Sequence, residues 1–549
     1  MQTLHPLTSA QQSIWLDQIA NPHSTQYSTA GLMDIDGPLD VKLFEQAVTH
    51  VSEIHDALRI VLHEQPGVPA QSVLPCAGVR LTQLDVSGHD DAEARARAYL
   101  HEIFNTPFDM YGGPLWRSHL VRVSETRHLW LQTYHHLVVD GVSSTLLYNH
   151  VFAAYNRLKR GEPLPTEPER SCLEVVTEDL LYRQSERHQR DLDFWSQRFA
   201  EMPPLLIKAP EVQSRHPARK TDQVVWSMPR AMLGQITEFS AARGLSLTQF
   251  MMALVCAYFA RANDIAEVVF GLSVHNRGGA RHKTTIGMFA SVVPLAITVD
   301  RTRSFVDLME SASRELRACY RHQRVSAADL HRHLMLAKSG RQRIFDVFLS
   351  VENFFEELVP DGTTVQFSQP PHDFSQAPLG IHVHDWVQAV DVPIDFDFWM
   401  DSLTRDSVVL MRDRMERIVT AVLSDPDVAI DDIPFVSDEE GDRIVGFCEG
   451  MPETRNRDCF IHELFEAQVE KSPGALAVTD GSLQLTYGEL NERANQLAHY
   501  LVAQGAGPDR LVTLYIERGI ELVVSMLGVL KAGAAYVPIE AGTPAQRVA

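Results

Sequence analysis

The fold of this chain is decided by residues 134–143, YHHLVVDGVS, together with the stretch just before them. Residues 129–134, LWLQTY, are aromatic and branched, which predicts a buried strand. Residues 143–160 predict a helix that begins at Ser143 or Ser144. The two histidines therefore stand at the end of a strand, the acid lies in a tight turn, and a helix N-terminus points back at both.

The two neighbouring histidines cannot do the same work. Adjacent residues on a strand point to opposite faces of the sheet. His135 and His136 therefore cannot both face one substrate, nor can both bind one metal ion. We assign one histidine to a site and expect the other to be a hydrogen-bonded core residue. The nearby Asp140 and Gly141 favour a functional site over a purely structural cluster.

Composition limits the classes of protein that need to be considered. A chain of 549 residues is too long for one ordinary core, so we expect two to four domains or lobes. The formal net charge of −22 argues against nucleic-acid binding. The longest apolar run, residues 250–260, is too short to span a bilayer, and the N-terminus predicts no signal peptide. The six scattered cysteines predict neither a disulfide framework nor a metal site, and we expect a reducing cytoplasm.

The segment around the histidines resembles the His-His-x-x-x-Asp-Gly signature of condensation domains from nonribosomal peptide synthetases. Those domains share a fold with chloramphenicol acetyltransferase. Further segments resemble other motifs of the family, in the family's order, over about the first four-fifths of the chain. These segments are residues 7–15, 55–59, 182–195, 276–295, 322–324 and 343–353. The chain departs from the family at Ile54, where an Arg is usual, at Ala290 and Ser291, where Val and Asn are usual, and after Gln323, where an Asp is missing.

The resemblance implies an α/β fold of two chloramphenicol acetyltransferase-like lobes, arranged as a V-shaped pseudo-dimer with a central channel. We place the N-terminal lobe in residues 1–170 and the C-terminal lobe in residues 171–437, next to a Pro-rich stretch. Residues 438–458 are polar and predict an irregular linker. Residues 459–549 resemble the first two core motifs of an adenylation domain, so we expect a partial α/β adenylation fragment there. Its Gly-rich phosphate loop does not occur in the sequence, and we expect no ATP chemistry.

The resemblance also implies an acyltransferase that forms an amide from an acyl thioester and an aminoacyl group on a carrier protein. His136 would either accept the ammonium proton or position the amine and stabilise charge, with His135 beside it in the motif. Asp140 lies in the turn and is expected to be a structural clamp, which the resemblance pairs with Arg277. Gly141 would supply a backbone N–H or allow a close approach.

Two further residues are expected to support this site. Ser143 either caps the following helix or contacts the site, and Arg59 of the second motif serves the fold. We expect no metal and no cofactor bound to the chain itself. The phosphopantetheine arm would belong to the partner carrier protein, or coenzyme A would bring the acyl group as its thioester. The basic run over residues 314–343 could meet such a phosphate, although a solvated helix face is the more frequent explanation.

The acyl donor is the main question that the sequence leaves open. Only six residues precede the first motif, which favours a starter condensation domain that takes a fatty acyl group from coenzyme A and begins a lipopeptide. A donor on a freestanding aryl or peptidyl carrier protein, as in siderophore assembly, is the alternative. A non-catalytic scaffold that docks carriers is a third possibility. We expect partners of these kinds and a downstream adenylation domain, no nucleic acid, no membrane, and a monomer.

Three related activities fit the sequence less well. An epimerase would follow a carrier protein, whereas this segment precedes adenylation-like sequence. A heterocyclisation domain would carry an acid motif in place of the histidine pair. A plant-type acyltransferase needs a second signature that residues 384–386, HDW, do not match.

Overall fold

The computed structural model describes residues 3–76, 80–165, 170–207, 220–279, 281–336, 341, 343–352, 358–370, 375–385, 391–448, 459–540, 542–543 and 546. The chain divides into two compact units, Met1–Ser437 and Asp438–Ala549. Asn353 of the last condensation motif and residues 449–458 of the expected linker lie outside the described residues.

The first unit contains both strands and helices, with 3₁₀ turns at Asp56–Arg59 and Ile430–Asp432. The strands are β1 His5–Pro6, β2 Ser28–Asp36, β3 Ile60–His63, β4 Ala70–Val73, β5 Thr82–Asp85, β6 Trp116–Arg122, β7 Arg127–His135, β8 Thr221–Met228, β9 Glu267–Val274, β10 Ser291–Thr298, β11 Val347–Glu352, β12 Thr364–Ser368, β13 Leu379–His384 and β14 Val392–Trp399. The helices are α1 Ser9–Ala20, α2 Val41–Ile54, α3 Ala92–Phe104, α4 Gly141–Lys159, α5 Leu173–Arg183, α6 Glu186–Arg198, α7 Arg230–Ala241, α8 Leu247–Ala262, α9 Phe305–Tyr320, α10 Ala327–His333 and α11 Arg405–Ser424.

The first large sheet has the strand order β12-β2-β7-β6-β5 and is antiparallel except for the β5–β6 pair. Trp130 and Tyr134 of β7 pack on the side of α2 and α4. Leu129 and Leu131 pack on the opposite side with α3. Successive side chains of a strand point to opposite faces of the sheet, so β7 packs against helices on both sides. The edge strand β12 comes from within residues 171–437, so the chain returns to the first sheet after building most of the second.

The second large sheet has the order β10-β9-β11-β13-β14-β8, with β11 parallel to both of its neighbours. The apolar run of residues 250–260 lies in its core helix α8 and is buried throughout. Ser246 and Gln249 form a capping box at its start. One face of the sheet, with Val383 and Phe396, belongs to this core. The other face of β13 and β14 carries histidines and aspartates and lies open to a cavity.

The second unit is smaller and has little buried apolar surface. It contains α12 Asp438–Cys448, α13 Ile461–Lys471, β15 Leu476–Asp480, β16 Leu483–Thr486, α14 Tyr487–Ala503, β17 Leu511–Tyr515, α15 Ile520–Lys531 and β18 Ala535–Ile539. The helix α12 lies in the segment predicted to be an irregular linker. Its first turn carries Asp438, Glu439 and Glu440, whose charges favour a helix N-terminus. In the described part of the chain, no helix is long and apolar enough to cross a membrane.

Candidate functional site

His135, the last residue of β7, is a core residue. Its side chain is 2% exposed, and both ring nitrogens have partners. The Leu137 N–H donates to Nδ1 at 3.1 Å, and Nε2 lies 3.1 Å from Oε1 of Gln18. Burial lowers the pKa of His135 to about 3, so the ring is neutral at neutral pH. The strand places this histidine away from any substrate.

His136 begins the turn after β7 and lines a cavity of about 1240 Å³. Its backbone N–H donates to the Tyr27 carbonyl at 2.7 Å, which fixes the start of the turn. Burial lowers the pKa of His136 below its usual value, although the charges of Asp140 and Glu352 oppose that shift. The imidazole that faces the cavity is therefore neutral at neutral pH and able to accept a proton.

Asp140 caps the helix that follows. The helix α4 begins at Gly141, and the Asp140 carboxylate accepts the Ser143 N–H at 2.8 Å. The prediction that the helix begins at Ser143 or Ser144, with Ser143 as its cap, is therefore wrong. Aspartate is a strong N-cap, and here it starts the helix two residues earlier. Ser143 lies in the first turn, where its hydroxyl donates to the Gly287 carbonyl at 2.8 Å.

The Asp140 carboxylate is also fully engaged with the segment from Arg277 to Ala290. Nη2 of Arg277 lies 2.7 Å from Oδ1, and both side chains are almost completely buried. The N–H groups of Phe289 and Ala290 donate to Oδ2 at 3.0 and 3.2 Å. Arg277 also donates to the Ser143 hydroxyl at 2.6 Å. A carboxylate with this many donors has no lone pair left for proton transfer, and its geometry is that of a clamp between two parts of the chain.

The other two predicted residues, Gly141 and Arg59, differ in whether they reach the cavity. Gly141 is the first residue of α4 and lines the cavity, and its carbonyl accepts the Ser144 hydroxyl at 2.8 Å. Arg59 does not line the cavity. It ends a 3₁₀ turn and donates to the Leu74 carbonyl at 2.8 Å, which ties that turn to the segment after β4.

The sequence analysis missed a polar wall on the other side of the same cavity. It is formed by side chains from β8, β11, β13 and β14, which are Gln223, Glu352, His382, Asp395 and Asp397. His384 of β13 is buried between Glu352 and Asp395. The one signal of this wall in the sequence is the alternation of apolar and polar residues over 391–398, which is typical of a half-solvated strand. The polar face of that strand lies toward the cavity. No group of three or more His, Cys, Asp or Glu side chains in the described ranges could hold a metal ion.

The chain matches two protein families in sequence. The condensation domain model matches residues 1–445, and the AMP-binding enzyme model matches residues 465–549. The junction lies close to the division between the two compact units. The second match accounts for the adenylation-like segments recognised after residue 459.

Curated relatives are large peptide synthetases. The dimodular nonribosomal peptide synthase of Bacillus subtilis is 29% identical over 555 residues, which cover 99% of this chain and 23% of the relative. The isonitrile lipopeptide synthase of Streptomyces coeruleorubidus is 28% identical, with 99% of this chain and 36% of the relative covered. The chain thus spans about a third or less of the length of these relatives.

Solved condensation domains have the same fold. A variant of the starter condensation domain of rhizomide synthetase in complex with C8-CoA has a TM-score of 0.70 and 26% identity, covering 79% of this chain and 98% of that one. The first condensation domain of the calcium-dependent antibiotic synthetase has a TM-score of 0.71 at 23% identity, covering 79% and 99%. The likeness to the second of these concerns the fold alone. With a family match over most of its length and a mixed α/β fold shared with these domains, the chain belongs to the condensation domains of nonribosomal peptide synthetases, which are amide-forming acyltransferases.

Proposed function

We propose that this chain is a starter condensation domain. It would join a fatty acyl group, delivered as a coenzyme A thioester, to the amine of an aminoacyl group on a carrier protein. The reaction centre would be His136. The observation that carries this proposal is the large cavity that His136 lines, because much of its wall is apolar.

The apolar part of the wall suits an acyl chain. It comes from the start of α8, from β9 and β10, and from the chain before and within β11. Its side chains are Leu245, Leu247, Leu272, Val274, Val292, Val293, Phe345 and Phe348. Burial of each methylene of an acyl chain against such a wall is worth about 0.8 kcal/mol. The volume of about 1240 Å³ exceeds the roughly 300–1,000 Å³ of a usual small-molecule pocket and leaves room for two substrates.

Cations line the same cavity. Arg332 and Arg343, from the basic run, both contribute to its wall. Arg332 is two-thirds exposed, so its charge can reach a phosphate of coenzyme A or of a phosphopantetheine arm. Lys338 of that run lies outside the described residues. The rhizomide neighbour, whose complex holds C8-CoA, supports a donor of this chemical class.

The neutral His136 would take or share the proton of the attacking amine. The amine must be deprotonated to attack the thioester carbonyl, so a ring that is already neutral at neutral pH needs no prior activation. The N-terminus of α4 beside it would stabilise negative charge as it develops on the carbonyl oxygen. The clamp of Asp140 and Arg277 would hold the turn in position without entering the chemistry.

We further propose the larger architecture that the resemblance implied. Residues 1–170 and 171–437 would form two lobes of a V-shaped pseudo-dimer, with the cavity as its central channel. The two large sheets support this division, and the return of β12 to the first sheet would link the lobes.

The proposal is tested by offering the whole chain octanoyl-CoA and an alanyl thioester of N-acetylcysteamine. We expect octanoyl-alanyl thioester by mass spectrometry, and none from the His136→Ala variant. If product forms only when the acyl group is supplied on a carrier protein, the donor is a carrier-bound acyl group and not a coenzyme A thioester. Absence of product with either donor would support the scaffold hypothesis and contradict an acyltransferase role.

A further inference from the structure

A polar cluster faces the cavity from the second sheet, and the amide-forming chemistry does not need it. The register of the sheet brings it together, because Glu352 pairs with His384 across β11 and β13, and His382 pairs with Asp395 across β13 and β14. All of its side chains lie on the face opposite the apolar core. We name Gln223, Glu352, His382, His384, Asp395 and Asp397 the β13 cluster.

The contacts within the β13 cluster are close and specific. Nδ1 of His384 lies 3.2 Å from Glu352, and its Nε2 lies 3.1 Å from Asp395. Gln223 donates to Asp397 at 2.9 Å and to Asp395 at 3.2 Å. The His384 ring is therefore held between the carboxylates of Glu352 and Asp395. The Gln223 amide bridges the carboxylates of Asp395 and Asp397.

Asp397 is less well compensated. Its other oxygen lies 3.6 Å from Nε2 of His382, which is beyond ordinary hydrogen-bonding distance. The ring of His382 lies over Gly380, where a Cβ would come within 2.8 Å of its Nε2. Burial and the charge of Asp395 raise the pKa of Asp397, and the charge of His382 and the Gln223 hydrogen bond only partly offset this rise. A cation beside this carboxylate would offset both the cost of burying its charge and the repulsion from Asp395.

The charge of the β13 cluster also favours a cation. Three carboxylates face two imidazoles, so the cluster keeps a formal excess of one negative charge even when both rings are protonated. The nearby Asp385 does not add to it, because Arg230 neutralises Asp385 at 2.5 Å. Buried charges of this kind need a counter-charge or a strong donor.

The β13 cluster shares its cavity with His136, and the charge of Glu352 is close enough to favour the protonated form of that ring. A substrate at His136 therefore extends into the field of the cluster. The reacting amine is a poor candidate for the cation, because an anionic wall holds an ammonium in its charged, non-nucleophilic form. A second amine on the same substrate can supply the cation for the cluster while the reacting amine stays neutral.

We propose that the β13 cluster is a specificity subsite for an alkylammonium side chain of the acceptor amino acid, as in a lysine-type or shorter diamino acid. The inference rests on His136 as the proposed reaction centre. The ammonium would donate to Asp395 and Asp397, while the α-amine reaches His136.

The test compares two acceptors of equal length, lysyl and 2-aminoheptanoyl pantetheine thioesters, which differ by one ammonium in place of a methyl group. With the whole chain and octanoyl-CoA, we expect kcat/KM to favour the lysyl acceptor by about ten- to a hundredfold, as a charged hydrogen bond allows. Asp397→Asn and Asp395→Asn should each reduce that ratio, and their double variant should bring it close to one.

The matched control is Asp222→Asn, the same change one residue from Gln223 in β8, where the carboxylate pairs with Arg405 away from the cluster. It should leave the ratio unchanged. Equal use of both acceptors by the unaltered chain, or preference for 2-aminoheptanoyl, overturns the inference without any variant. The same holds if the double variant, shown to be folded by its thermal melting, keeps the full ratio. His136→Ala separates the two proposals, because its loss of product with both acceptors tests the reaction centre alone.

Discussion

His136 lines the cavity from one wall, and His384 lies buried within the β13 cluster on the other wall. At neutral pH the His136 ring is neutral, whereas the His384 ring is charged. Burial lowers the pKa of His136, whereas Glu352 and Asp395 raise the pKa of His384 to about 9 against the cost of burial. The difference lies in the neighbouring carboxylates. Those beside His384 contact its ring directly. The carboxylate of Asp140, four residues from His136, is neutralised by Arg277 and by backbone N–H groups.

This comparison shows what the buried clamp does for the reaction centre. An acid left free beside His136 would hold the ring in its protonated form at neutral pH, as the carboxylates do for His384. By pairing with Arg277, Asp140 fixes the turn, and its charge opposes but does not overcome the effect of burial on the pKa of His136. The neutral ring suits proton transfer, and the cationic ring suits a fixed electrostatic role.

The largest effect is expected from His136→Ala. If His136 takes or shares the amine proton, this change should lower the rate of amide formation by about a hundred- to ten-thousandfold. The rate is measured as octanoyl-alanyl thioester formed per minute. His101→Ala, at an exposed histidine of α3, is the matched control and should keep its rate. A His136→Ala rate within a few-fold of the unaltered chain would remove His136 from the chemistry.

The next effect is expected from Asp140→Asn, which leaves the buried Arg277 guanidinium without its counter-charge. We expect the free energy of unfolding of the first unit to fall by about 3–5 kcal/mol in urea titrations followed by tryptophan fluorescence. The exposed pair of Asp222 and Arg405 gives the control, because Asp222→Asn should cost less than about 1 kcal/mol. Equal losses for the two variants would show that Asp140 is no clamp.

A smaller effect is expected in how the free energy of unfolding depends on pH. The folded-state pKa of His384 is about 9 and lies above the usual histidine pKa of 6.5, so its charged form stabilises the fold fully below about pH 6.5. That contribution is lost as the pH rises through 9. The unaltered chain should lose on the order of 1–3 kcal/mol between pH 6.5 and pH 9.5. His384→Gln should lose measurably less in the same urea titrations, and parallel losses would contradict the raised pKa.

The sequence predicts the cavity wall around His136 better than the wall formed by the β13 cluster. The strand, turn and helix around His136 lie within one continuous stretch, so local patterns place them. Only the start of α4 differs, because the Asp140 carboxylate accepts the Ser143 N–H and caps the helix. The partnership of Asp140 with Arg277 joins residues far apart in sequence and came from family resemblance alone. The β13 cluster was missed for a physical reason. Only β14 alternates clearly in sequence, and the pairing register of the sheet is what brings the polar side chains of the four strands together.

The contrast between the two walls is measured most directly by the titration of single imidazoles. The chain, with its 24 histidines labelled with ¹³C, would be followed by NMR from pH 5 to pH 10, with His136→Gln and His384→Gln used to assign two resonances. The His136 ring should be neutral at pH 7 and titrate below pH 6.5, while the His384 ring should stay protonated until about pH 9. A His136 ring that is protonated at pH 7, or two rings that titrate together, would contradict the assignment of a neutral reaction centre opposite a charged wall.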